Sequence, residues 1–218
     1  MLPITLGAVT PTRPLSILCL GAHSDDIEIG CGGTVLKLLT DYPGSKVTWV
    51  VFSARDQRET EARASAADFL SAAAASNVIT HQFRESYFPH VGAEIKDGFE
   101  ALRRSVEPDL ILSHHRHDVH QDHRTVAELT WNTFRRHLII EYEIPKYEGD
   151  LGNPNLLVAL TSEQAARKVD LLMQHFGSQS FRPWFRPDVF HGLMSVRGVE
   201  CHAPEGRAEA FHLRKLVL

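Results

Sequence analysis

Four short runs that read as buried strands are each followed by a stretch with helical spacing, and this alternation restricts the possible folds more than any other feature of the chain. The first run, Ile17-Leu18-Cys19-Leu20-Gly21, lies in a strand expected at about 15–21. Lys46 to Ser53 (KVTWVVFS) is β-branched and aromatic, Asn77 to Gln82 reads as a short third strand, and Asp109 to Ser113 (DLILS) as a fourth. Between them, Thr34 to Leu39, the alanine-rich Thr60 to Ala75, and Ile95 to Val106 read as helices, the last stopped by Pro108. Asp122 is placed to cap the next helix, which carries Val126, Leu129, Thr133 and Phe134. Regular β-α repetition of this kind predicts an α/β fold with a mostly parallel, twisted sheet and helices on both faces.

The second half continues in the same manner. Leu138 to Ile144 alternates like a strand and Lys146 to Pro154 is a polar loop; Glu141, Glu143 and Lys146 could line a pocket, although alternating charges more often mark an exposed strand face. Asn155 to Leu160 reads as a strand, Ser162 as the cap of a helix running through His175, Pro187 to Val199 as a helix, and Ala210 to Leu218 as a closing strand or tail. Residues 1–14, with Pro3, Pro11 and Pro14, read as an irregular lead-in, and 15–218 as a single domain with no internal repeat or linker.

Composition narrows the partners. A formal charge of −4 and a pI near 6.3 give no basic surplus for nucleic acid, so a small-molecule or glycan partner is expected. Cys19, Cys31 and Cys201 form no CxxC pair and read as reduced structural thiols, which suggests a cytoplasmic address. No apolar run approaches the roughly 20 residues of a membrane span.

The chemistry lies where strands end. The first strand leads into Ala22-His23-Ser24-Asp25-Asp26-Ile27-Glu28-Ile29-Gly30-Cys31-Gly32-Gly33, an imidazole and two carboxylates in a strand-to-helix turn whose glycines are expected to tighten the turn and expose helix amides. A hydrolytic zinc site needs about three protein ligands and an open position for water. His23 and Asp26 can supply two, leaving Asp25 free to take a proton. Alternatively, the two aspartates simply cap the helix. The fourth strand leads into Ser113-His114-His115-Arg116-His117-Asp118-Val119-His120-Gln121-Asp122-His123. In a parallel sheet both clusters emerge at the same edge, where His123 can complete a His-Asp-His set and His120 can lie just beyond it. A solvated loop with histidines paired to Asp118 and Asp122 is the competing reading.

The two motifs together resemble the PIG-L or LmbE-like family of zinc-dependent N-deacetylases. Arg58-Glu59-Thr60-Glu61 at the head of the alanine-rich helix and the Glu205 to Phe211 stretch extend the resemblance over about residues 15–213. It implies a Rossmann-like fold and one divalent metal, zinc, held by His23, Asp26 and His123. It also implies that Asp25 is the general base, that His120 stabilises the tetrahedral intermediate or protonates the leaving amine, and that Arg58 reaches toward the substrate. The implied substrate is an N-acetylglucosamine-type amino sugar or glycoconjugate, giving acetate and a free amine. Ser24 stands where many members have proline, and Ile27 where many have glutamate, so Glu28 and Asp122 are expected to support the site rather than bind metal.

Other residues give weaker signals. Trp49 and Trp131 read as core or lid, and Trp184 as a residue that could stack on a sugar ring. Packing accounts for His175, Ser178 and Gln179 as readily as binding does. His202 and His212 read as surface or structural groups, although a C-terminal histidine could approach the metal pocket. Two further functions fit the sequence. One is a related metallo-amidase for a larger N-acyl or thiol-sugar conjugate; the other is a non-catalytic sugar- or nucleotide-binding module, with a homo-oligomer open in each case.

Overall fold

The computed structural model describes residues 13–216. The predicted alternation is present: β1 (Ser16–His23), α1 (Asp26–Asp41), β2 (Lys46–Ser53), α2 (Gln57–Phe69), β3 (Ala75–Thr80), α3 (Gly92–Ser105), β4 (Leu110–His114) and α4 (Gln121–Thr133) follow in order. They are followed by β5 (Leu138–Tyr142), β6 (Leu156–Leu160), α5 (Ser162–His175), α6 (Pro187–Cys201) and β7 (Arg207–Leu213). Most of the expected lead-in and the last two residues of the expected tail lie outside the described residues.

The strands form one seven-stranded sheet in the order β3-β2-β1-β4-β5-β7-β6. The pairs from β3 through β5 are parallel, whereas β7 runs antiparallel to both β5 and β6. The fold is therefore α/β with a mostly parallel sheet, and its closing strand is inserted between two others instead of lying at the edge.

The period of two along each strand builds two cores. Ile17 and Cys19 of β1, with Trp49, Leu112 and Tyr142, pack against α1, α2, α5 and α6. Leu18 and Leu20, with Val50, Phe52 and Ile111, pack against α3 and α4 on the other face. Helices thus cover both faces, and no helix among the described residues is long and apolar enough to cross a membrane.

Several local expectations are corrected. Helix α1 starts at Asp26, so Gly30, Gly32 and Gly33 lie inside it and make no turn. Their role is close packing: a Cβ at Gly30 would stand 2.2 Å from Tyr142, and one at Gly33 would stand 2.5 Å from Leu160. Helix α2 begins earlier than expected and ends at Phe69, and β3 starts at Ala75 because its register with β2 pairs Ala75 with Lys46. The caps differ too: Thr161 caps α5 with a full capping box, and His120, not Asp122, caps α4. Glu141 and Glu143 are buried, because β7 pairs with β5 and α6 covers what an edge strand would expose.

Candidate metal centre and active site

Strand β1 ends on His23, and three residues later Asp26 opens α1. Its parallel neighbour β4 ends on His114, after which residues 115–120 lead into α4 with His123 in its first turn. The strand order reverses between β1 and β4, the position where open α/β sheets place their ligands. Both motifs therefore meet at one crevice.

There, His23 Nδ1 lies 3.3 Å from Asp26 Oδ2, His123 Nε2 lies 3.2 Å from His23 Nδ1, and Asp26 Oδ1 lies 3.5 Å from His123 Nε2. All three side chains are buried. A carboxylate stands behind each imidazole: Asp122 Oδ2 at 3.1 Å from His23 Nε2, and Asp118 Oδ2 at 2.9 Å from His123 Nδ1. Such pairing fixes the tautomer and leaves the opposite ring nitrogen as a metal donor. Tetrahedral zinc with bonds of about 2.0–2.1 Å separates its ligand atoms by roughly 3.3 Å; the two imidazole nitrogens stand 3.2 Å apart, and Asp26 faces His23 with Oδ2 and His123 with Oδ1, so the donor types suit the ion.

Two further histidines border these atoms. Among the described residues, the groups whose single ligand atoms all lie within 4.8 Å of one another are His23, His120 and His123, and Asp26, His114 and His123. His114 Nε2 accepts the Ala22 amide at 2.9 Å, which occupies its lone pair, and its ring stacks on His123 with centroids 4.0 Å apart. His120 Nδ1 accepts the Asp122 amide at 3.2 Å, so in the neutral ring Nε2 carries the proton and is a donor.

Charge in the crevice is strongly patterned. Burial depresses the His23 imidazole, but nearby Asp26 and hydrogen bonds to Asp122 and Asp26 outweigh it and lift its pKa to about 10. Burial acts upward on Asp26, yet His123, His114 and His23 hold it well below the carboxylate range. Burial and the neighbouring His114 push His123 down to about 3. Burial, then the charge of His23, lowers His120 as well.

Asp25 lies beside this group, its pKa raised by burial against the opposing charge of Arg58. Arg58 Nη2 donates to Asp25 Oδ1 at 3.0 Å and Nη1 to Glu85 Oε2 at 3.1 Å. Asp122 also accepts the Ser86 amide at 2.6 Å and the Phe88 amide at 3.1 Å, pinning the 86–88 segment beside the crevice. Glu28 points away, with Oε1 accepting from Ser65 at 2.7 Å, and burial raises its pKa well above the usual range.

The structure brings His23, Asp25, Asp26, Arg58, His120, Asp122 and His123 together and leaves Glu28 outside. The sequence offers Asp118 only as a histidine partner in a solvated loop; the pairing is present, but Asp118 is buried and stands behind His123. Trp184 is half-buried and packs edge-on against Phe185 at the margin of the core, and His175 pairs with Asp68. His212 stacks on His115 with centroids 3.7 Å apart, and His202 ends α6 in the left-handed conformation.

Solved structures with this fold include N,N'-diacetylchitobiose deacetylase from Pyrococcus horikoshii. It is 19% identical with a TM-score of 0.69, and the match covers 91% of this chain and 83% of that one. The deacetylase of the A40926 pseudoaglycone is 16% identical at a TM-score of 0.69, over 96% of this chain and all of its own. The 4-carboxy-2-hydroxymuconate hydratase GalB from Pseudomonas putida KT2440 is 16% identical at 0.73, over 94% and 98%. No curated protein sequence matches. The family described as PIG-L, GlcNAc-PI de-N-acetylase, matches residues 18–134, more than half of the chain and both histidine-aspartate motifs, and the chain belongs to that family.

Proposed function

We propose that this protein is a zinc-dependent N-deacetylase of an N-acetylglucosamine-type amino sugar or glycoconjugate. The observation that carries the reading is the convergence of His23 Nδ1, Asp26 and His123 Nε2 within 3.2–3.5 Å, each imidazole backed by a carboxylate. In this reading those three residues hold the metal. When bound, zinc polarises the acetamide carbonyl and lowers the pKa of a water molecule from 15.7 toward about 7.

The protein's own groups complete the reaction. Asp25, raised by burial and bridged to Arg58, takes the proton of the attacking water. His120 presents its Nε2 proton to the carbonyl oxygen as negative charge develops there; this role needs only the neutral ring, in keeping with its lowered pKa. The proton gained by Asp25 then passes to the departing amine. Arg58 orients Asp25 and borders the substrate. The deacetylases among the structural neighbours support acetamide as the bond cleaved, and the family description supports an amino sugar as its carrier.

A second reading has its own support, because the hydratase among these neighbours has the highest TM-score of the three. Water addition to a conjugated double bond would use the same crevice. Incubation of the zinc-loaded protein with a panel of N-acetyl and longer N-acyl amino sugars separates the two. Acetate and free amine in equal amounts are expected; acid release only from longer acyl groups would indicate the related amidase. No acid or amine from any amide, with a hydrated product from an unsaturated carboxylate, would overturn the deacetylase reading.

A further inference from the structure

We infer that Lys146, on the loop after β5, is a positioning residue that sets the metal centre through Asp118. The inference rests on the metal-site part of the proposed function. Asp118 Oδ2 accepts from His123 Nδ1 at 2.9 Å and forms an ion pair with Lys146 Nζ at 3.0 Å, while its Oδ1 accepts the His120 amide at 2.8 Å. One carboxylate therefore fixes the ring of a proposed ligand and the backbone of the proposed oxyanion donor. Lys146 holds that carboxylate from behind.

The way the loop attaches argues that the contact is built for this purpose. Ile144 and Pro145 anchor the start of the loop in the core, whereas Tyr147, Glu148 and Gly149 are exposed, so apolar packing does not carry on past Lys146. Two of its inward polar attachments meet one short segment: Lys146 reaches Asp118, and Asp150 Oδ2 accepts the Val119 amide at 2.7 Å. Asp150 Oδ1 also accepts from Lys146 at 2.5 Å, closing the network. The Lys146 side chain is only 9% exposed and takes part in lining a small cleft with His115, Asp118, Ile144, Leu151 and His212. Met and Gln approximate the length of the lysine side chain while removing its charge.

Loss of a group that orients a ligand weakens metal binding by about 10–100-fold. Zinc affinity of the full chain, measured by competition with a chromophoric chelator, is expected to fall by that factor in Lys146→Met and Lys146→Gln. Each metal-stripped variant is expected to lose some stability as Asp118 and Asp150 lose a buried partner, so affinity is compared in buffer where circular dichroism shows every variant fully folded. Lys146→Arg keeps the charge and should lose less than either. Zinc affinity equal to wild type in both neutral variants would overturn the inference and leave the proposed activity untouched. A wild-type protein that binds zinc but releases no acetate would overturn the activity alone, and one that binds no zinc would overturn both.

Discussion

Helix α1 carries two buried charge clusters, one at its first turn and one at its middle, and they differ in where the positive charge comes from. At the middle, Glu209 Oε1 accepts the Gly33 amide at 2.9 Å and Lys168 Nζ at 2.6 Å, and Oε2 accepts the Thr34 amide at 2.6 Å. Lys168 also donates to the Ile29 carbonyl at 2.6 Å. The cation is a residue of the chain, and both carboxylate oxygens have partners. At the first turn, Asp26 and two imidazole nitrogens face one another with no lysine or arginine between them, and His23 meets the shortage by holding a proton up to about pH 10. A buried cluster complete in itself locks elements together, whereas one short of a cation is suited to bind one.

Both clusters lie in sequence stretches that carry the family resemblance, but substitutions should separate them. The largest effect is expected at Asp25, where Asp25→Asn removes a base worth about 10²–10⁴-fold in rate. Initial rates measured beside bound zinc should show the loss with the metal retained; unchanged turnover would remove Asp25 as the base. At the second cluster the effect should be on stability. Glu209→Ala leaves Lys168 buried without its partner, at a cost of about 3–5 kcal/mol. Urea denaturation should show that loss, with zinc per folded chain unchanged.

Acidity should distinguish the clusters by a smaller margin. Since the His23 proton leaves only near pH 10 and zinc must displace it, apparent zinc affinity should fall about tenfold for each unit that pH drops between roughly 9 and 7. A pH-independent affinity measured by chelator competition would show that His23 is not a ligand. The smallest effect is expected at Glu28. Burial keeps that acid neutral, and its bond from Ser65 survives amidation, so Glu28→Gln should shift stability by less than about 1 kcal/mol. A larger loss in urea would show that Glu28 is buried as a charge.

The fold and the chemical part of the site were legible for a common reason. Strand runs such as Lys46–Ser53 and the spacing of His23, Asp25 and Asp26 are local properties, and a parallel sheet brings successive strand ends to one edge. The supporting contacts depend on elements far apart in sequence. Asp118 could as well have been a solvated loop residue until α4 turned His123 onto it and the loop carrying Lys146 folded back. Glu143 reads as exposed until Arg197 of α6 reaches it with bonds of 2.8 and 2.6 Å. The glycines of α1 suggest a turn because glycine usually frees the backbone; here their missing side chains admit Tyr142, Phe69 and Leu160.

The central claim is that the first-turn cluster is a cation site. Zinc titration of the metal-stripped protein, read as stoichiometry, tests it most directly. One zinc per chain is predicted for wild type, with binding abolished in folded His23→Ala, Asp26→Ala and His123→Ala and retained in Glu209→Gln. No stoichiometric zinc in wild type, or wild-type binding in all three alanine variants, would contradict it.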